Sequence, residues 1–177
     1  MNNDILKDII PEETIMLIVG ESVGPETAKN GHYYFKSTNK FWELLSYVIG
    51  KKLTPNEDVT LLQYKIGLTD IIKDKILLNG VEPNKIDQYF EILIEKIKLY
   101  NPKIIVFNGK FKGGKTKEEK LIRRALRKRY EKFYNEYKNK LIIFQSPSTS
   151  ASVRGLSINE RKNIWLEIAK EYKKYIG

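Results

Sequence analysis

The sequence predicts an α/β fold: a mostly parallel sheet with helices over both faces. Short apolar runs at Thr14 to Val19, Ile66 to Ile72, Lys103 to Phe107 and Leu141 to Phe144 alternate with longer segments of helical periodicity, the order expected of strand–helix–strand units. The first and third runs are apolar residue after residue, as strands buried on both faces require. At 177 residues the chain makes one domain, residues 1–177, large enough to bury a substantial core.

Taken in order, Ile5, Leu6, Ile9 and Ile10 have the spacing of a short amphipathic helix that Pro11 stops. The first strand ends in Gly20-Glu-Ser-Val-Gly24, and about fifteen irregular residues follow, where connections usually run about 4–6. So long a connection points to a functional loop, and the stretch reads as the floor and wall of a pocket. Asn39 N-caps a helix through Ile49, with Gly50 just past its end. Thr54-Pro-Asn-Glu57 has the form of a capping box and opens a short helix through Leu62. Ile86, Tyr89, Phe90, Leu93, Ile94 and Ile97 form the stripe of a long helix that Asn101-Pro102 ends. Leu121, Ile122, Leu126, Phe133 and Tyr137 mark another, with Lys117, Lys120, Arg124, Arg127 and Lys128 on its other faces. Ser157 and Glu160 cap a terminal helix that buries Trp165, Ile168 and Tyr172.

Composition narrows the chemistry. With no cysteine the chain forms no disulfide, thiolate nucleophile or Cys-ligated cluster, and a single His32 argues against an imidazole metal site. A protein without metal or cofactor is expected, monomeric and cytoplasmic, with neither a signal peptide nor a membrane span. The net charge of +10 resides wholly between Lys103 and Lys140, where 14 Lys/Arg stand against 4 Asp/Glu. That excess suits a polyanionic partner such as DNA, or is the solvated helix face of a lysine-rich chain.

In parallel α/β sheets ligands bind beyond the carboxyl ends of the strands. Here those ends lead into Gly20 to Gly24, Asp70 onward, Asn108-Gly-Lys110 and Ser146-Pro-Ser-Thr149. One of them continues as Gly109-Lys-Phe-Lys-Gly-Gly-Lys115-Thr116, which fits the phosphate-binding loop of nucleotide hydrolases. That reading needs a later strand ending in a magnesium-holding Asp, and none follows. Lys110, Lys112 and Lys115 would serve equally to grip DNA phosphates.

Gly20-Glu-Ser-Val-Gly24, the spacing to Asn39-Lys-Phe-Trp42, Leu61-Leu-Gln-Tyr64 before Gly67-Leu-Thr-Asp70, Asn108-Gly-Lys110 and Ser146-Pro-Ser148 occur in an order that resembles the uracil-DNA glycosylase superfamily, closest to its mismatch-specific thymine/uracil branch. The resemblance implies a three-layer α/β/α sandwich with a central four-stranded parallel sheet. It also implies an enzyme that flips a base out of DNA and hydrolyses its N-glycosidic bond, leaving an abasic site. With no lysine placed as a Schiff-base nucleophile, a monofunctional glycosylase is expected.

The same resemblance distributes roles. The mismatch branch usually has a water-positioning Asn where this chain has Ser22, while the iron–sulfur uracil glycosylases carry Glu where it has Glu21. A carboxylate there can stabilise the cationic sugar and orient water, so Glu21 is the first catalytic candidate, with Ser22 helping to hold the water. The hypoxanthine branch also lacks the first-motif Asn, which makes Asn39 a further candidate beside its role as a helix cap. His32 has the chemistry to donate to a departing base but stays outside the catalytic set. Gly20, Val23, Gly24, Tyr34 and Asp70 frame the base: Tyr34 stacks on it, or is a core tyrosine, and Gly24 leaves room where uracil-selective relatives place a blocking tyrosine. Asp70 aligns with an Asn that reads uracil; ionised, it only accepts hydrogen bonds and suits the amino group of cytosine, unless it merely caps a loop. A 5-substituted cytosine is therefore the expected substrate, in repair or in defence against modified phage DNA. Uracil or thymine excision from mismatches, a P-loop hydrolase and a non-catalytic DNA-binding module are the alternatives. Ser146, Pro147, Ser148 and Thr149 correspond to the loop that enters the minor groove, or form a plain serine-rich turn, and Arg154 would plug the vacated stack.

Overall fold

The computed structural model describes residues 3–151 and 157–177. Strands β1 (Met16–Val23), β2 (Ile66–Ile76), β3 (Ile104–Asn108) and β4 (Ile142–Ser146) form one parallel sheet in the order β2-β1-β3-β4. Helices α1 (Pro25–Asn30), α2 (Phe41–Ile49), α3 (Ile86–Tyr100), α4 (Lys117–Tyr137) and α5 (Ile158–Ile176) surround it. Among the described residues no helix is long and apolar enough to cross a membrane.

Side-chain alternation along the central strands divides the core in two. Met16, Ile18, Ile104 and Val106 pack against Phe41, Leu44 and Leu45 of α2 and Trp165 and Ile168 of α5. Leu17, Val19, Ile105 and Phe107 pack against Phe90 and Leu93 of α3 and Leu126 and Phe133 of α4. The result is the expected three-layer sandwich. After β1 the chain pairs β2 on one side, then crosses to β3 on the other, so the connections leaving β1 and β3 diverge and open a crevice at the strand ends.

Three local expectations change. Residues 5–10 form no helix: Ile5 N–H donates to Lys73 O at 2.8 Å, and Ile9 and Leu68 exchange backbone bonds of 3.1 and 2.7 Å. A segment this short gains little as an isolated helix, whereas the unpaired edge of β2 offers it ready partners. Strand β1 does not stop at Val19 but runs to Val23, because Gly20 pairs with Asp70 and Ser22 with Ile72 of an equally extended β2. The long loop is not wholly irregular either, since Pro25 starts α1 and Gly31, at φ 74°, ends it. Elsewhere both capping boxes form, at Thr54/Glu57 and at Ser157/Glu160, the first opening a 3-10 helix over Pro55–Tyr64.

Candidate active site

The site is built over a glycine. Gly20 and Asp70 are register partners, and a Cβ at position 20 would stand 2.1 Å from Asp70 Oδ1 and 3.2 Å from Tyr34 Oη. Only the missing side chain lets a carboxylate and a phenol close over β1. Tyr34 is held there at φ 53°, in the left-handed region. Its ring stacks on Phe41 with centroids 3.8 Å apart. Burial, and then the charge of Asp70, push the Tyr34 phenol well above its ordinary range, so it stays neutral.

Asn108 ties this floor to the loop after β4. Its Nδ2 donates to Thr149 Oγ1 at 2.9 Å, and its Oδ1 accepts from Thr149 N–H at 3.1 Å. The Thr149 carbonyl in turn accepts from Lys40 N–H at 2.9 Å, which brings the entrance of α2 to the same strand end. There Asn39 Oδ1 accepts from Phe41 N–H at 2.9 Å, but Asn39 stands one residue before the N-cap of α2, which is Lys40 and not Asn39 as expected. The Asn39 amide nitrogen has no partner among the described residues, and neither has the buried hydroxyl of Ser22, which alternation places on the same face as Gly20.

Asp70 is 6% exposed, and no donor among the described residues meets its carboxylate. Burial raises its pKa to about 6; Lys73 and Lys96 oppose the rise, and Asp8 and Glu21 add to it. Both lysines are engaged elsewhere. Lys73 Nζ lies 2.9 Å from Asp8 Oδ1 and donates to Tyr33 Oη at 2.8 Å, and Lys96 Nζ lies 2.6 Å from Asp8 Oδ2. Gly24, at the entrance of α1, has nothing within 4 Å of an added Cβ, so a side chain there would meet open space.

Other candidates stand apart. Glu21 alternates to the opposite face of the sheet, where Arg123 of α4 takes both its oxygens: Nε donates at 3.1 Å to each, and Nη2 at 2.8 Å to Oε1. Val23 turns into the core past a register shift at Ser22/Val23. Ser146, Pro147 and Thr149 are buried and internally bonded, which leaves Ser148 as the half-exposed member of that loop. Arg154 lies outside the described residues. Lys110, Lys112 and Lys115 are exposed, and the first two line a cleft with Arg127, Tyr130, Glu131 and Gln145.

The loop at 109–116 is no phosphate cradle. Phe111 is buried at its centre against Phe107 and Tyr130, and Lys115 N–H and Glu119 N–H are taken by the Glu119 carboxylate and the Thr116 hydroxyl. Those are amides a phosphate would need. Three contributors escape sequence reasoning: Arg123, the Asp8–Lys73–Lys96 cluster, and Asp58, which is buried and holds His32 Nδ1 at 3.1 Å. Each pairs with a residue far away in the chain, so no local spacing marks it.

The comparisons decide the family. The sequence profile of the Uracil DNA glycosylase superfamily matches residues 8–169. The chain belongs to the uracil DNA glycosylase superfamily. This superfamily member is 30% identical over 168 residues to a hypoxanthine DNA glycosylase of Methanosarcina barkeri (strain Fusaro / DSM 804), covering 92% of this chain and 94% of that protein. Its fold also matches the solution NMR structure of a protein from Methanosarcina acetivorans provisionally assigned as a uracil DNA glycosylase, with TM-score 0.63, 21% identity, and 95% and 96% of the two chains covered. Membership makes the chain a monofunctional DNA glycosylase, a hydrolase of N-glycosidic bonds in DNA repair.

Proposed function

We propose that this glycosylase excises a deaminated base, hypoxanthine foremost, drawn out of DNA to the strand ends beside Asp70. The observation that carries the reading is Asp70, a buried carboxylate whose hydrogen-bonding capacity no side chain or N–H among the described residues uses and which the edge of an extruded base would meet. The space around Gly24 supports a base larger than uracil, as does the relative named for hypoxanthine, which is matched over nearly its whole length.

In this reading the base lies near the Tyr34 ring, itself backed by Phe41, while lysines of the α4 region neutralise backbone phosphates. The C1′–N bond breaks with its electron pair leaving on the base. A water oxygen then bonds to C1′, and the proton it loses ends on the departed base, giving the sugar hydroxyl and the neutral free base. Ser22 Oγ and Asn39 Nδ2 are the groups free to hold that water. Glu21, held by Arg123 on the other face, does not touch that water.

The test is incubation with duplexes carrying hypoxanthine, uracil, a G·T mismatch, or plain and glucosylated 5-hydroxymethylcytosine, followed by alkaline scission of abasic sites. Fastest release of hypoxanthine is expected. Release of neither hypoxanthine nor uracil overturns the substrate reading. A second reading, a 5-substituted cytosine from modified phage DNA, is favoured by the open position at Gly24 and would appear as cleavage of the hydroxymethylcytosine duplexes alone.

A further inference from the structure

We propose that Asp70 determines specificity as the un-ionised acid, setting an O–H donor and a C=O acceptor side by side against a base edge that carries a carbonyl next to an N–H. The inference rests on the glycosylase reading of this pocket, and it concerns the form in which one side chain reads the base.

The geometry leads there directly. The Asp70 carboxylate lies on the bare backbone of Gly20, with no donor to either oxygen among the described residues. The charged and titratable groups around it come from four other parts of the fold and from its own strand. They are Lys73 of β2, Asp8 of the N-terminal segment, Lys96 of α3, Glu21 of β1, and Tyr33 and Tyr34 of the β1–α2 connection. The two lysines are tied to Asp8, Arg123 holds Glu21, and the phenols are neutral, so among the described residues no cation pairs directly with the Asp70 carboxylate. A base entering the pocket would displace the water that still reaches it.

An ionised carboxylate offers acceptors alone. Against hypoxanthine or uracil it would satisfy the ring N–H and set its second oxygen against the base carbonyl, burying two acceptors face to face. The acid instead makes both bonds, as a carboxamide would. The burial that brings the Asp70 pKa to about 6 makes the acid accessible near neutral pH.

The measurement is single-turnover kcat/KM on a hypoxanthine duplex between pH 6 and 8, for wild type, Asp70→Asn and Asp70→Ala. Taking the ratio of wild type to Asp70→Asn cancels ionisations common to both. That ratio should fall about fifty-fold over the range, the change in the fraction of acid for a group titrating near 6. Asp70→Asn should stay active throughout and Asp70→Ala should be poor throughout. His32→Gln must keep the wild-type slope, which separates the Asp70 limb from imidazole titration. A pH-independent ratio, or an Asp70→Asn enzyme that is inactive while wild type is active, overturns the proposal. If wild type releases no base at all, the glycosylase reading is what fails. The affinity of wild type for a duplex with 2′-fluoro-2′-deoxyinosine, relative to undamaged duplex, then still tests Asp70: a preference that weakens from pH 6 to 8 supports the acid form, and a constant one refutes it.

Discussion

Replacing Asp70 by Asn should make the protein more stable at neutral pH, because the fold buries this carboxyl without a donor. Its ordinary pKa of 3.8 rises to about 6 in the folded chain. A folded pKa above the unfolded one means the native state holds the proton more tightly, so the stabilisation is complete below pH 3.8 and is lost as pH rises through about 6. About two units at ~1.4 kcal/mol each put the penalty of the ionised group at roughly 3 kcal/mol at pH 7.5. Asn is neutral and nearly isosteric, so Asp70→Asn should gain roughly 2–3 kcal/mol at pH 7.5 and almost nothing at pH 4, a Tm gain of roughly 5–10 °C for a domain of this size. Urea titrations followed by circular dichroism at pH 4, 6 and 7.5 measure the difference. A variant less stable than wild type at pH 7.5, or an equal gain at pH 4, would refute the assignment of Asp70 as an unpaired buried acid.

Other perturbations probe the rest of the pocket. Gly20→Ala puts a methyl group 2.1 Å from Asp70 Oδ1, so about 1–3 kcal/mol of overpacking and loss of base release are expected together, read by thermal melts and gel assays. Asn39→Ala removes both the cap on Phe41 N–H and a water-holding amide, and should lower the single-turnover rate at least ~100-fold; Glu21→Gln should lower it less than ~10-fold, and the reverse order would return the catalytic role to Glu21. Lys112→Ala should leave the rate on bound DNA unchanged and reduce the slope of log affinity against log salt by about 1, as fluorescence anisotropy would show, and an unaltered slope would remove Lys112 from the DNA contact.

Much of this architecture is legible before any coordinates. The stripes on α3 and α5 and the apolar runs of β1 and β3 follow from periodicity, and the turns from Gly50, Pro55 and Asn101. Polarity hides the rest. Gly20-Glu-Ser22 looks like a loop because its partner strand carries Asp70 at the matching position, and the pairing of two polar segments leaves no alternation to detect. Residues 5–10 have a helical spacing that the free edge of β2 overrides. The partnership of Glu21 with Arg123 spans 102 positions, and only the packing of α4 on the sheet creates it. Likewise the tie between Asn108 and Thr149 is a tertiary event, although Asn108-Gly-Lys110 marks the place.

That tie has a mechanical corollary. Thr149 is fastened on one side to Asn108 at the tip of β3 and on the other, through its carbonyl, to Lys40 at the mouth of α2. Any force on the turn at 146–149 is thus handed along two short struts, one to the tip of β3 and one to the mouth of α2. Under the proposed function, the grip on the duplex and the alignment of the water would therefore move together.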